Sequence, residues 1–71
     1  MTVKFIKMPG DAKELELNEG ATVEALIEEA QFNLTDDWEL RLNGEDIDNN
    51  DLDKTLSDGD QLVAVKRVEA A

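Results

Sequence analysis

The sequence predicts an α+β domain: a mixed sheet of four to five strands with one helix packed across one face, in ββαββ order. Three observations carry this. Two runs near the start alternate polar and apolar residues around a Gly-containing turn. One apolar stripe alone repeats at helical spacing. Two further alternating runs and a final apolar run then follow, separated by strong turn signals.

Thr2-Val3-Lys4-Phe5 opens the first strand, and Ile6-Lys7-Met8 continues it. Pro9-Gly10-Asp11 supplies the turn, and Lys13-Glu14-Leu15-Glu16-Leu17 resumes the alternation, so the first two runs read as a β-hairpin. After Asn18-Glu19-Gly20 the period changes. Val23, Leu26, Ile27 and Ala30 stand at i, i+3, i+4 and i+7, one buried stripe of an amphipathic helix. Thr22 is placed as its N-cap, and Glu24 suits the positive end of the helix dipole. Glu24, Glu28 and Glu29 have no basic residue three or four positions away, so burial of the stripe must hold the helix.

Asp36-Asp37 closes a linker, and Trp38-Glu39-Leu40-Arg41-Leu42 reads as a strand with Trp38, Leu40 and Leu42 on one face. Asn43-Gly44 is a strong hairpin signal, because both residues accept positive φ, and Ile47 anchors a short return strand. Residues 48–57 read as a polar loop whose Leu52 and Leu56 tuck into the core. Asp58-Gly59-Asp60 turns the chain into a last strand from Gln61 to Val68. With the final strand lying parallel beside the first, this is the β-grasp arrangement; a different ββαβ sandwich is the alternative.

Composition narrows the chemistry. The chain has 71 residues, 18 acids against 7 bases, no His and no Cys, for a formal charge of -11. Disulfides, thiolate catalysis, His- or Cys-based metal sites and a Ser-His-Asp triad are all excluded. Ser57 is the only serine and has no basic activator beside it. Asp46, Asp48 and Asn50 fall at the first, third and fifth places of a calcium loop. Asp51 stands where the required glycine would be, and Ser57 where the glutamate would be, so no dedicated metal site is expected. No apolar run reaches the ~20 residues of a membrane span, and Met1-Thr2-Val3-Lys4 lacks a signal-like apolar core. The expectation is one soluble, cytoplasmic, non-enzymatic domain over 1–71 with no cofactor, monomeric when free, with 69–71 a flexible tail.

Charge is also unevenly placed. Residues 14–60 carry sixteen acids and only Arg41 and Lys54, whereas residues 1–13 are net +2 and residues 61–71 net +1. Nucleic acid would be repelled, and a basic protein surface attracted.

Four features, in order, resemble the ThiS/MoaD sulfur-carrier branch of the ubiquitin-like β-grasp families. Gly20-Ala21-Thr22-Val23 opens a helix with Leu26-Ile27; Leu42-Asn43-Gly44-Glu45 is followed by Ile47; Leu56-Ser57-Asp58-Gly59-Asp60-Gln61-Leu62 follows; an apolar strand then runs on to the end. The resemblance implies a protein partner, either an E1-like adenylating enzyme or a sulfur-transfer synthase. In that family a Gly-Gly tail carries a terminal carboxylate that is adenylated and converted to a thiocarboxylate. Counting from Asp58, Ala70-Ala71 stands where those glycines would be, and two added methyl groups narrow the backbone freedom of such a tail.

The last strand is apolar on both faces. If Leu62 and Ala64 meet the helix, then Val63, Val65 and Arg67, with Lys4 and Ile6 from the first strand, lie on an uncovered face. These five residues are the candidate partner-binding surface, an apolar centre rimmed by bases, and Ala70-Ala71 the candidate tail contact. The function expected is therefore a ThiS/MoaD-like protein-binding module acting through the open sheet face and the tail. A working sulfur carrier or ubiquitin-like modifier is one alternative, and an acidic decoy for a basic protein surface is the other. Trp38 is expected at the edge of the core.

Overall fold

A computed structural model describes residues 1–67 of the chain. Strands β1 (Thr2–Met8) and β2 (Ala12–Glu16) form the opening hairpin, and helix α1 (Val23–Glu29) follows. Strands β3 (Trp38–Leu42) and β4 (Glu45–Ile47) form a second hairpin, and a 3-10 turn over Asn49–Asp51 precedes β5 (Gln61–Lys66). All five strands join one sheet in the order β2-β1-β5-β3-β4. Only β1 and β5 run parallel, with Phe5 opposite Leu62 and Ile6 opposite Val63. The remaining pairs are antiparallel. Because β5 lies between β1 and β3, both of its edges are paired; Leu62 and Ala64 of its apolar run are buried against the helix, while Val63 and Val65 on the other face stay half-buried.

The helix forms where its stripe predicts, and its N-terminal donors are fully accounted for. Ala25 N–H donates to Thr22 Oγ1 at 3.3 Å, as an N-cap requires. Val23 N–H donates to the Lys54 carbonyl at 3.0 Å, and Glu24 N–H to the Leu52 carbonyl at 2.9 Å. The segment after β4 therefore does more than tuck in two leucines: it caps α1 from outside the helix. Leu56 N–H returns to the Ala21 carbonyl at 2.8 Å, which locks the two segments together.

At the other end the chain turns through Gln31 at φ 56. Gln31 N–H donates to the Glu28 carbonyl at 3.0 Å and Phe32 N–H to the Ile27 carbonyl at 3.1 Å, the paired bonds of a Schellman closure. This turn swings Phe32 under the sheet between Phe5 and Trp38, at ring separations of 5.2 and 5.0 Å. Residues 31–37 are thus more than a linker, since all three aromatic rings meet through Phe32.

The core lies between α1 and the sheet. Val3 and Phe5 of β1, Leu40 of β3, and Leu62 and Ala64 of β5 are buried against Val23, Leu26, Ile27 and Ala30, with Leu56 closing the end. Leu52 and Trp38 pack partly buried at the margin. The hairpin turn takes positive φ at both Asn43 (53) and Gly44 (87). Asn43 further ties it to β5: its Oδ1 accepts from Gln61 N–H, and its Nδ2 donates to Asp60 Oδ1, each at 3.0 Å.

Two strands differ from expectation in their bounds. β2 occupies Ala12–Glu16 rather than starting at Lys13 and ending at Leu17; Leu17 N–H instead donates to the Met1 carbonyl at 2.8 Å. β5 ends at Lys66, and Arg67 N–H turns to the Asp37 carbonyl at 2.7 Å. Val68 and the tail residues Ala70 and Ala71 lie outside the described residues. Among the described residues, no helix is long and apolar enough to cross a membrane.

Candidate functional site

Strand alternation decides what each face of the sheet presents. Val3, Phe5, Leu62, Ala64 and Leu40 point to α1, so Lys4, Ile6, Val63, Val65 and Arg67 point the other way. All five candidate residues therefore share the face without a helix. Register brings them into rows. Ile6 stands beside Val63, which stands beside Arg41, which stands beside Asp46. One row further along, Met8 stands beside Val65 and Glu39. One row back, Glu14, Lys4 and Gln61 line up. Ile6, Val63 and Val65 are half-buried by their neighbours, and Met8 is 51% exposed, forming an apolar strip across the two central strands.

The rim of that strip is not basic, as the sequence alone suggests, but mixed. Arg41 Nε contacts Asp46 Oδ1 at 3.0 Å, and Arg67 Nε contacts Glu39 Oε1 at 3.3 Å. Both pairs are exposed and each contributes little to stability. Their effect is local, because they neutralise the border of the strip. Glu39 and Arg41 were discoverable: they alternate with Trp38, Leu40 and Leu42, so a β3 placed next to β5 must set them beside Val63 and Val65. Met8, the end of β1, is the apolar member missing from the expected set.

The open face carries three bases, Lys4, Arg41 and Arg67, against four acids, Glu14, Glu16, Glu39 and Asp46, for a net of -1. Elsewhere among residues 1–67, thirteen acids meet four bases, a net of -9. Acidity is thus concentrated on the helix side and the loops. Thirteen acids against four bases leave most of that charge uncompensated. Screening it should stabilise the fold. Raising NaCl from about 0.02 to 0.5 M is expected to raise the melting temperature by on the order of 5 °C, the shift that ~1 kcal/mol gives in a domain this small. A flat or falling transition in a circular-dichroism melt would show that the acids are too dispersed to repel.

A groove of about 310 Å³ runs off one end of the open face, lined by Thr2, Lys4, Glu14, Asp58, Asp60 and Gln61. Asp58 Oδ1 accepts from Thr2 N–H at 2.7 Å, and Asp60 Oδ2 accepts from Ser57 N–H at 2.8 Å, so the turn's two carboxylates are fixed by backbone donors. At the opposite end Lys66 Nζ sits 5.9 Å from the Trp38 ring centroid, on the helix side. Among the described residues no group of three or more His, Cys, Asp or Glu is arranged to hold a metal.

A five-stranded mixed sheet with this order, one crossing helix and a parallel central pair is the ubiquitin-like β-grasp fold. The chain belongs to the ThiS family, whose model matches residues 4–68. Its structural likeness extends over whole chains. SAMP1 from Haloferax volcanii superposes at a TM-score of 0.79 over 100% of both chains with 14% identity. A second structure, H. volcanii small archaeal modifier protein 1, gives 0.69 at 16% identity, covering 94% of this chain and 98% of that one. Caldiarchaeum subterraneum ubiquitin gives 0.66 at 26% identity, covering 100% and 98%. At such identities the two Haloferax structures speak for the fold alone. No curated protein sequence matches this chain.

Proposed function

We propose that this ThiS-family domain acts as a non-enzymatic, ubiquitin-like protein module, held by a partner protein on its open sheet face. The partner class is an E1-like adenylating enzyme. One observation carries the reading: the two central strands present Ile6, Val63, Val65 and half-exposed Met8 on the only face that no helix covers. An apolar patch with a polar rim is the usual centre of a protein interface. Lys4 and Arg67 flank the strip and complete the contact. The residues beyond Arg67, with Ala70 and Ala71, form its second part. In support, β5, the middle strand of the sheet, carries Val63 and Val65, and Arg67 follows it directly in the chain.

The reading is tested by nuclear magnetic resonance. Adding a sub-stoichiometric amount of the E1-like enzyme to ¹⁵N-labelled protein should attenuate the amide signals of Lys4, Ile6, Val63, Val65 and Arg67 first. Attenuation centred on Glu24, Glu28 and Glu29 would instead assign binding to the acidic helix side and remove the open face from function.

A further inference from the structure

We propose that the open face takes an extended protein segment presenting one apolar side chain and, two positions away, a lysine or arginine. This rests on the docking reading above and specifies the chemistry of what docks. The apolar side chain meets Ile6 and Val63, and the cation enters the groove beside Lys4 and Gln61.

The spacing comes from the sheet itself. Ile6 pairs with Val63, and Lys4 pairs with Gln61, exactly two residues earlier on both strands. At ~3.3 Å per residue those rows lie about 7 Å apart, the distance at which an extended chain repeats its side chains on one side. The first row is apolar. The second opens into the groove, where Glu14, Asp58 and Asp60 stand against the single base Lys4. Asp58 and Asp60 are already fixed by Thr2, Ser57 and Asn43, so a cation arriving there meets carboxylates that need no further ordering. Among the described residues, the side chains of Glu14 and Lys4 have no hydrogen-bond or ion-pair partner, which leaves Glu14 available to the incoming charge. An anionic side chain in the same place would face three carboxylates.

The far end of the strip offers no such site. There Arg67 and Glu39 already neutralise each other, as do Arg41 and Asp46 at the side. The face is therefore directional: apolar in the middle, neutral at two borders, and anionic only where β1 and β5 begin. A partner lacking the cation would still cover Ile6 and Val63, but without a preferred register along the strands.

The probe is a capped ten-residue peptide of serines and threonines holding one leucine and, two positions on, one arginine. A control peptide carries glutamate in place of the arginine. Titrated into ¹⁵N-labelled protein at 150 mM NaCl, the arginine peptide should shift the amides of Lys4, Ile6, Gln61 and Val63 and bind about tenfold more tightly than the control. Glu14→Lys should weaken the arginine peptide roughly fivefold, the effect of one exposed charge contact. Glu28→Lys, on the exposed side of α1, changes the net charge by the same two units and should alter binding less than about twofold. Equal weakening by the two reversals, equal affinity of the two peptides, or no shift on the sheet at millimolar peptide would each overturn the inference. The docking reading fails separately: if the E1-like enzyme attenuates the helix rather than Ile6, Val63 and Val65, that reading is lost whatever the peptides do.

Discussion

Leu26→Ala is expected to remove about half of the stability of this protein. Leu26 is completely buried, on the helix stripe between Val23 and Ala30, and is among the largest side chains with no exposure. Leu→Ala at such a site costs ~2–5 kcal/mol, part from lost transfer energy and part from the cavity left behind. A domain of this length has only ~4–10 kcal/mol in all, at the usual ~0.05–0.15 kcal/mol per residue. Collapse cannot easily fill the hole. Leu40 and Leu62 of the same core cluster sit in strands fixed by neighbours on each side. On the helix side, α1 is pinned at its start by the Lys54 and Leu52 carbonyls and at its end by the turn through Gln31. The melting temperature should fall by roughly 10–40 °C, at ~4–8 °C per kcal/mol. Trp38 fluorescence is a suitable probe, because its ring contacts Phe32 and so reports the closure of the helix end. Met8→Ala, at 51% exposure, should move the same transition by only a degree or two. A Leu26→Ala shift no larger than that of Met8→Ala would show that the helix does not anchor the core.

How much of this was legible beforehand follows from how local each feature is. The helix was, because Thr22, the stripe at Val23, Leu26, Ile27 and Ala30, and the acids between them all act within three turns. The second hairpin was, because Asn43-Gly44 specifies its turn geometry within two residues. The parallel pairing of first and last strands needed one more step. A strand apolar at Leu62, Val63, Ala64 and Val65 belongs in the middle of a sheet, and the order of the elements leaves β1 and β3 as its neighbours.

What escaped was non-local backbone chemistry. Nothing in Lys54 or Leu52 as residue types announces that their carbonyls cap a helix thirty residues away. Gln31 at φ 56 carries no glycine to mark the turn, and so Phe32 passes for a linker residue until its ring is seen between Phe5 and Trp38. The rim of the open face shows the same limit. Arg67 stands out in a chain this acidic, whereas Glu39 becomes its companion, and Asp46 that of Arg41, only when register sets β3 beside β5 and β4 beside β3.

Val63→Asp combined with Val65→Asp is expected to weaken binding of the E1-like enzyme by on the order of a hundredfold while leaving the protein folded. Both valines point away from α1 and are only half-buried, so their replacement opens no cavity in the core. The folding cost is lost strand preference, within ~1 kcal/mol per site. It should also differ between the two. Val63 stands beside Arg41, where a new carboxylate finds a cation already engaged with Asp46. Val65 stands beside Glu39, where a new carboxylate meets a like charge, so Val65→Asp should be the less stable single variant. Binding responds differently because a partner must strip water from these positions. Burying an unpaired carboxylate at the centre of an interface costs several kcal/mol, and each ~1.4 kcal/mol is a tenfold loss. Val63→Ala provides a gentler check, since it removes apolar surface without adding charge, and should cost only a few-fold. Calorimetric titration of the enzyme with each variant, alongside thermal melts, separates folding from docking. Undiminished binding by a folded double variant would place the contact on another surface, and the exposed valines would then be no more than the uncovered middle of a small sheet.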